Sequence, residues 1–242
     1  MKLLKNISPG KIFLIPTPIG DYQPLDVLPK SIIKIIENLN FFLVENEKHA
    51  RRFLAKIGFE NKLDKLTFYL LNKKTPLEEE LEYIQIIQNG IDVGIISEAG
   101  TPAIADPGSR LIQLAHQNKI KIKPIAGPSS IILGLSASGL NGQNFSFIGY
   151  LPIEKNERKR KIKFIENLSY KNKQTQIFIE TPYRNNELVE TLLKTCNPNT
   201  ILCIASSMNS KEEKIITLPI EKWKKNKINI HKKPTIFLIY KY

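Results

Sequence analysis

Ile96-Ser97-Glu98-Ala99-Gly100-Thr101-Pro102-Ala103-Ile104-Ala105-Asp106-Pro107-Gly108 joins two segments of opposite character. Residues 92–97 before it form a short apolar run of buried-strand type, and residues 108–118 after it carry apolar positions at helical spacing. Gly100, Gly108, Pro102 and Pro107, with small residues between them, make the connection stiff and leave its backbone uncovered. Such a loop presents main-chain N–H and C=O groups to a ligand at close range. Taken alone, a plain connecting loop reads the same way. Asp106 is also placed to cap the helix that follows.

The same alternation extends outward. Residues 12–15 form an apolar run ended by Pro16, followed by a stiff 16–20 loop, Pro-Thr-Pro-Ile-Gly. A helix is expected over 29–38, a strand over 41–44, and a helix over 48–57 closed by Gly58. A strand over 66–70 precedes a helix over 76–88, which has an acidic first turn and stops at Asn89-Gly90. Residues 120–125 alternate as a strand. Strand–helix alternation predicts an α/β fold with a largely parallel sheet, and ligands of such sheets sit at the carboxyl ends of the strands.

The second half is organised differently. Helices are expected over 129–140, 157–168 and 185–196, and strands over 145–150, 176–180, 200–206, 214–218 and 235–240. The last two strands are expected to be antiparallel. The boundary falls within 118–128, giving an N-terminal α/β domain 1–122 and a C-terminal α/β domain 123–242.

The composition bounds what the chain can be. It has 242 residues, 42% of them hydrophobic, which is enough to bury a core. No run of eighteen apolar residues occurs, so no transmembrane helix is expected, and the apolar piece in 1–7 is too short for a signal peptide. Cys196 and Cys203 lack metal-ligand spacing and read as ordinary thiols of a reducing compartment. A cytoplasmic protein is expected. The formal charge of +13 points to a polyanion such as RNA. A chain this rich in Ile, Lys and Asn also owes part of that charge to codon composition. The six arginines are more selective: Arg51, Arg52, Arg110 and Arg184 fall inside the informative segments, and Arg158 and Arg160 in a basic run.

Several chemistries are disfavoured by sequence. There is no Gly-x-Gly-x-x-Gly after a strand, no Gly-Lys-Thr/Ser phosphate loop and no Gly-x-Ser-x-Gly elbow. His49, His116 and His231 are scattered without metal spacing, so no metal site is expected. Two further loops leave strand ends. In Ala126-Gly127-Pro128-Ser129-Ser130 either serine is a natural helix cap or a ligand donor, and Glu180-Thr181-Pro182-Tyr183-Arg184 places a Tyr-Arg pair at a strand end.

Taken in order, segments 16–20, 97–108, 124–130, 135–140, 147–152 and 180–184 resemble the ribosomal RNA small subunit methyltransferase I family of the tetrapyrrole methylase superfamily. The resemblance covers nearly the whole chain. It implies two α/β domains of tetrapyrrole-methylase type with the cofactor cleft between them, S-adenosylmethionine as cofactor, and methylation of a ribose 2′-hydroxyl of 16S rRNA. It also implies ribosomal RNA or the small ribosomal subunit as partner, and a homodimer. By resemblance, Pro16, Gly100, Thr101, Pro102, Ala103 and Ile104 lie at the cofactor. Ser129 and Ser130 line its other side, and Thr181, Pro182, Tyr183, Pro234 and Thr235 hold the adenosine. The 16–20 loop would face the acceptor.

Two departures stand out. The family's Glu-Asp-Thr-Arg-x-x-Arg-x-Leu pattern is here Glu45-Asn46-Glu47-Lys48-His49-Ala50-Arg51-Arg52-Phe53-Leu54, and the sequence given ends just past the last strand, without the small C-terminal module of the family. Glu45 and Asp106 are the first candidate general bases for a ribose hydroxyl, and the structural reading of each is favoured, Asp106 as the helix cap and Glu45 as an ion-pair partner of Arg51 or Arg52. Lys48, Arg51, Arg52, Arg184 and the run 155–163 are candidate RNA contacts, a solvated helix face being the favoured reading of the run. Two other functions fit the same residues: methylation of a small molecule such as a tetrapyrrole, and a non-catalytic ribosome-associated protein that binds S-adenosylmethionine.

Overall fold

Short apolar runs bounded by proline, glycine and asparagine become the strands of two separate sheets. The computed structural model describes residues 8–242, so the opening stretch read above against a signal peptide lies outside the described residues. The chain divides into two compact units, the first ending at Pro128 and the second beginning at Ser129. The division falls a few residues beyond 122/123, because the strand that ends at Pro124 belongs to the first sheet.

The first unit runs β1 (Lys11–Ile15), α1 (Pro24–Val27), α2 (Ser31–Ile36), β2 (Phe41–Val44), α3 (Glu47–Leu54), β3 (Thr67–Leu70), α4 (Leu77–Gln88), β4 (Val93–Ile96), α5 (Ser109–Gln117) and β5 (Lys121–Pro124). Its sheet has the order β3-β2-β4-β1-β5 with every pair parallel. Helices cover both faces of such a sheet, so its inner strands are apolar on both sides. Ile15, Phe42, Val44 and Ile96 pack on one face with α2 and α3, while Ile12, Leu43, Val93 and Ile95 pack on the other with α4 and α5. This is the period of two expected of strand side chains. The connections leaving the adjacent strands β4 and β1 head toward opposite edges of the sheet, which is where open α/β sheets bind ligands.

Helix α3 runs on through a π-type turn over Ala55–Phe59, and Gly58, at φ +94°, ends it. Only glycine takes that backbone without cost. α1 is a helical piece too short for any periodicity to reveal.

The second unit runs α6 (Ser130–Ser138), β6 (Phe145–Tyr150), α7 (Lys155–Asn172), β7 (Thr175–Ile179), a 3-10 turn (Pro182–Arg184), α8 (Asn185–Thr195), β8 (Ile201–Ser206), β9 (Lys214–Pro219), α9 (Ile220–Trp223) and β10 (Thr235–Tyr240). Its sheet is mixed, in the order β6-β7-β10-β8-β9, with β6 and β7 parallel and the other pairs antiparallel. The expected antiparallel pairing of the last two strands is corrected here. β9 and β10 flank β8 on opposite sides, each antiparallel to it, and therefore run in the same direction. β8 is the more apolar strand and takes the inner place between them. In the core, Phe178 stacks on Phe237 with ring centroids 5.8 Å apart. Trp223 is fully buried and donates its Nε1–H to the Leu202 carbonyl at 2.8 Å. Both cysteines are buried free thiols in this unit. Burial pushes the Cys196 thiol far above its ordinary range, and the nearby Glu166 adds to the effect.

Arg158, expected with its basic run as a phosphate contact, is instead 1% exposed. It is paired with Glu187 and bonded to the Ile153 carbonyl at 3.2 Å. Its neighbours Lys155, Arg160 and Lys163 remain exposed on α7.

Candidate active site

Within the first unit, three of the loops singled out by sequence meet at Gly100. The Thr17 N–H donates to the Gly100 carbonyl and the Gly100 N–H donates to the Thr17 carbonyl, both at 3.0 Å. Thr17 Oγ1 bonds to the Ser97 carbonyl at 3.2 Å, and Ser97 Oγ donates to the Gly100 carbonyl at 2.6 Å. Thr101 Oγ1 donates to the Pro128 carbonyl at 3.3 Å. Gly127 sits so close to Pro16 that a Cβ there would lie 2.3 Å from the proline ring. The 16–20, 97–108 and 126–128 segments are thus one bonded assembly at the carboxyl ends of β1, β4 and β5.

The 97–108 loop holds an unusual backbone. Gly100, Ala103, Ala105 and Gly108 all have positive φ, at 77°, 64°, 61° and 114°. The two alanines accept a conformation that costs a residue with a Cβ on the order of 1–2 kcal/mol each. Such strain collects at ligand sites. Ile104 between them is half exposed, an apolar side chain left for something to cover. Asp106 does not cap α5, whose cap position is Gly108 with no side-chain bond. The reason is the direction of the carboxyl: Asp106 Oδ2 is turned inward, buried and without a hydrogen-bond partner.

Asp106 faces two other carboxylates. Its pKa is pushed up to about 6, first by burial and then by Glu45 and Glu98, with Lys73 pulling the other way. Glu45, just after β2, is also raised, by burial and then by Glu98. The cavity lined by Glu45, Asp106, Ser97 and Pro102 measures about 10 Å³, room for one water at most. Neither expected ion pair of Glu45 forms among the described residues. Arg51 pairs instead with Glu47 at 2.7 Å and lies 4.6 Å from the Phe68 ring centroid.

A larger cavity of about 250 Å³ opens at the Thr17–Ser97 junction. Thr17, Pro18 and Gly20 form one wall, Ser97 and Glu98 another, and His49, Arg52, Phe53 and Lys56 a third. His49 Nδ1 lies 2.6 Å from Glu98 Oε1. Asn46 caps α3 by accepting from the His49 N–H at 3.3 Å, which fixes the turn that carries the imidazole. Lys48 and Arg52 are exposed on α3. Among the described residues no cluster of His, Cys, Asp and Glu is arranged to hold a metal.

In the second unit, Glu180 is completely buried. Its Oε1 accepts from the Thr181 N–H and from Arg184 Nη2, both at 2.6 Å. Arg184 is therefore committed to its own loop. Asn185 donates to the carbonyls of Ile230 and Lys233, and the Lys232 N–H donates to the Pro182 carbonyl at 2.9 Å. Thr235 Oγ1 bonds to Ser206 Oγ, and the Ser207 N–H donates to the Pro234 carbonyl. These bonds draw 181–183 and 234–235 together. Tyr183 stays exposed beside His231 and Lys232. Ser129 occupies the cap position of α6, yet its side chain makes no cap bond, so the hydroxyl is not used for capping.

The bonded pairs Thr17–Gly100 and His49–Glu98 were not readable from the sequence, since their members are far apart along the chain. Each residue did lie in a segment marked by Gly and Pro or by charge.

Comparison with known proteins places the chain in a family. The family described as Tetrapyrrole (Corrin/Porphyrin) Methylases matches residues 11–223. The chain is 27% identical to the ribosomal RNA small subunit methyltransferase I of Vibrio cholerae, over 96% of this chain and 77% of that one. It is 30% identical to the protein of the same name from Buchnera aphidicola subsp. Schizaphis graminum, over 95% and 78%. Among solved structures, the methyltransferase CobJ superposes with a TM-score of 0.62 at 14% identity, covering 96% of this chain and 94% of that one. Diphthine synthase superposes with a TM-score of 0.64 at 14% identity, covering 95% and 88%. These two likenesses concern the fold.

Proposed function

Because the chain belongs to the tetrapyrrole methylase family and, within it, to the ribosomal RNA small subunit methyltransferase I family, it is an S-adenosylmethionine-dependent methyltransferase, and we propose that its acceptor is a ribose 2′-hydroxyl of 16S ribosomal RNA. The observation that carries the acceptor reading is the 250 Å³ cavity walled by Thr17, Pro18 and Gly20 and flanked by Arg52 and Lys56. It adjoins the Gly100 junction, and its basic side chains suit a phosphate backbone.

The residues present fit the cofactor. Four left-handed backbone positions hold the 100–108 loop open, and the exposed Ile104 offers an apolar surface. The carboxylates of Glu45, Glu98 and Asp106 lend the neighbourhood a negative field that suits a sulfonium cation. We assign Pro16 and Gly100 to Ile104 in the first unit to this role. In the second unit we assign it to Ser129, Ser130, Thr181, Pro182, Tyr183, Pro234 and Thr235.

When bound, S-adenosylmethionine supplies an already activated methyl group. The protein's work is then to align the acceptor, exclude water and take one proton. Lys48, Arg52 and Lys56 hold the RNA backbone in this reading, while Arg51 and Arg184 keep their own loops in shape. A cytoplasmic homodimer completes the reading, and light scattering checks the dimer.

The test is mass spectrometry of 16S rRNA from cells with and without the gene. One ribose methyl group should disappear and return on complementation. An unchanged modification map overturns the acceptor. Calorimetry with S-adenosylmethionine separately checks the cofactor.

A further inference from the structure

We propose that His49 is the group that takes the proton from the acceptor hydroxyl, and that Glu98 is the positioning residue that holds its imidazole. The proposal rests on the ribose-methylation reading above.

Three observations carry it. Space comes first: the cavity beside Glu45 and Asp106 measures about 10 Å³, too small to take an acceptor nucleoside. The cavity lined by His49 and Glu98 measures about 250 Å³ and is open to an entering nucleotide. Orientation comes second. His49 Nδ1 is 2.6 Å from Glu98 Oε1, and a carboxylate on one ring nitrogen fixes the tautomer and leaves Nε2 as the free acceptor. Attachment comes third. Glu98 directly follows Ser97, whose hydroxyl bonds the Gly100 carbonyl, so the base and the cofactor-side turn are set by one loop. The imidazole is about half exposed, as a group that meets an entering substrate must be.

The step balances without a further reactant. The 2′-O–H bond breaks and its proton passes to His49 Nε2. The hydroxyl oxygen forms the new bond to the methyl carbon as the carbon–sulfur bond breaks, its electron pair remaining on sulfur. The imidazolium is held against the Glu98 carboxylate until it releases the proton to water. The other ionisable groups lining this cavity are Tyr22 from the loop after β1, Arg52 from α3 and Lys56 from the turn after it.

The test uses the full chain and small ribosomal subunits from cells lacking the gene, with transfer of a labelled methyl group as readout. His49→Gln should lower kcat by about 100-fold or more, with KM for the subunit and calorimetric affinity for S-adenosylmethionine unchanged. His49→Asn, a second variant, should behave alike. Loss of the acidic limb of the pH–rate profile should accompany both. Glu98→Gln should lower kcat less, and in the protein without cofactor should change the tautomer that the imidazole ¹⁵N shifts of His49 report. If the unaltered protein transfers and the His49 variants match its rate, this assignment alone is overturned. Unchanged ¹⁵N shifts in Glu98→Gln overturn the positioning role. If the unaltered protein transfers nothing to ribosomal RNA, the acceptor reading falls and takes this assignment with it.

Discussion

Asp106 sets a pH dependence that belongs to a single carboxyl group. Its pKa in the folded chain is raised from 3.8 to about 6, by burial and then by Glu45 and Glu98. Well below pH 3.8 it is protonated in both states and costs nothing. As pH rises toward 6 the unfolded chain ionises first, so stability falls through that window, and above it the cost is fully present. The upper bound is about 3 kcal/mol, reduced because the group is only partly shielded from solvent. Asp106→Asn should therefore raise the Tm at pH 8, with the gain fading toward pH 4 in parallel thermal melts. An equal gain at both pH values would contradict this account. Gly127 makes a second prediction. A methyl group there meets Pro16 at 2.3 Å, and both neighbours are rigid, so Gly127→Ala should cost about 1–3 kcal/mol in chemical denaturation. The Gly100 turn should loosen with it, weakening affinity for S-adenosylmethionine.

At the scale of elements, α3 holds the side chains of one cavity wall in register, and Asn46 starts it. Asn46→Ala removes the bond to the His49 N–H and should lower stability by about 1 kcal/mol in denaturant titration. It should also lower kcat more than that loss alone would, because His49 lies in the first turn. The strands of the first unit were legible because a parallel sheet buries both faces, leaving apolar runs such as Ile12 to Ile15 that stand out against polar loops. Four-residue helices such as α1 and α9 were not legible, since no period fits in so short a span. The order of β8, β9 and β10 was not legible either, because strand order follows from packing rather than from any local pattern. The site was half readable. Its loops announce themselves by glycine and proline, but the inward turn of Asp106 and the spending of Arg158 and Arg184 on internal pairs depend on neighbours distant in sequence.

At the scale of the whole molecule, the charge of +13 is expressed through exposed lysines and the few free arginines. RNA affinity should fall steeply with salt, and Arg52→Ala and Lys56→Ala should each reduce the slope of log K against log salt by about 1. A slope indifferent to both would place the phosphate contacts elsewhere. Cofactor binding should couple to folding: S-adenosylmethionine at about 100 times its Kd should add about 2.7 kcal/mol to the stability of whatever it clamps. Differential scanning calorimetry of the full chain reads that gain directly. Here the cysteines acquire a use. The sequence holds two, Cys196 and Cys203, both buried in the second unit. A thiol-reactive dye added to the native protein can advance only as fast as that unit opens. The dye is thus a stopwatch on one half of the chain, silent about the other, and slowing of its signal on adding cofactor would time how firmly the second unit is clamped.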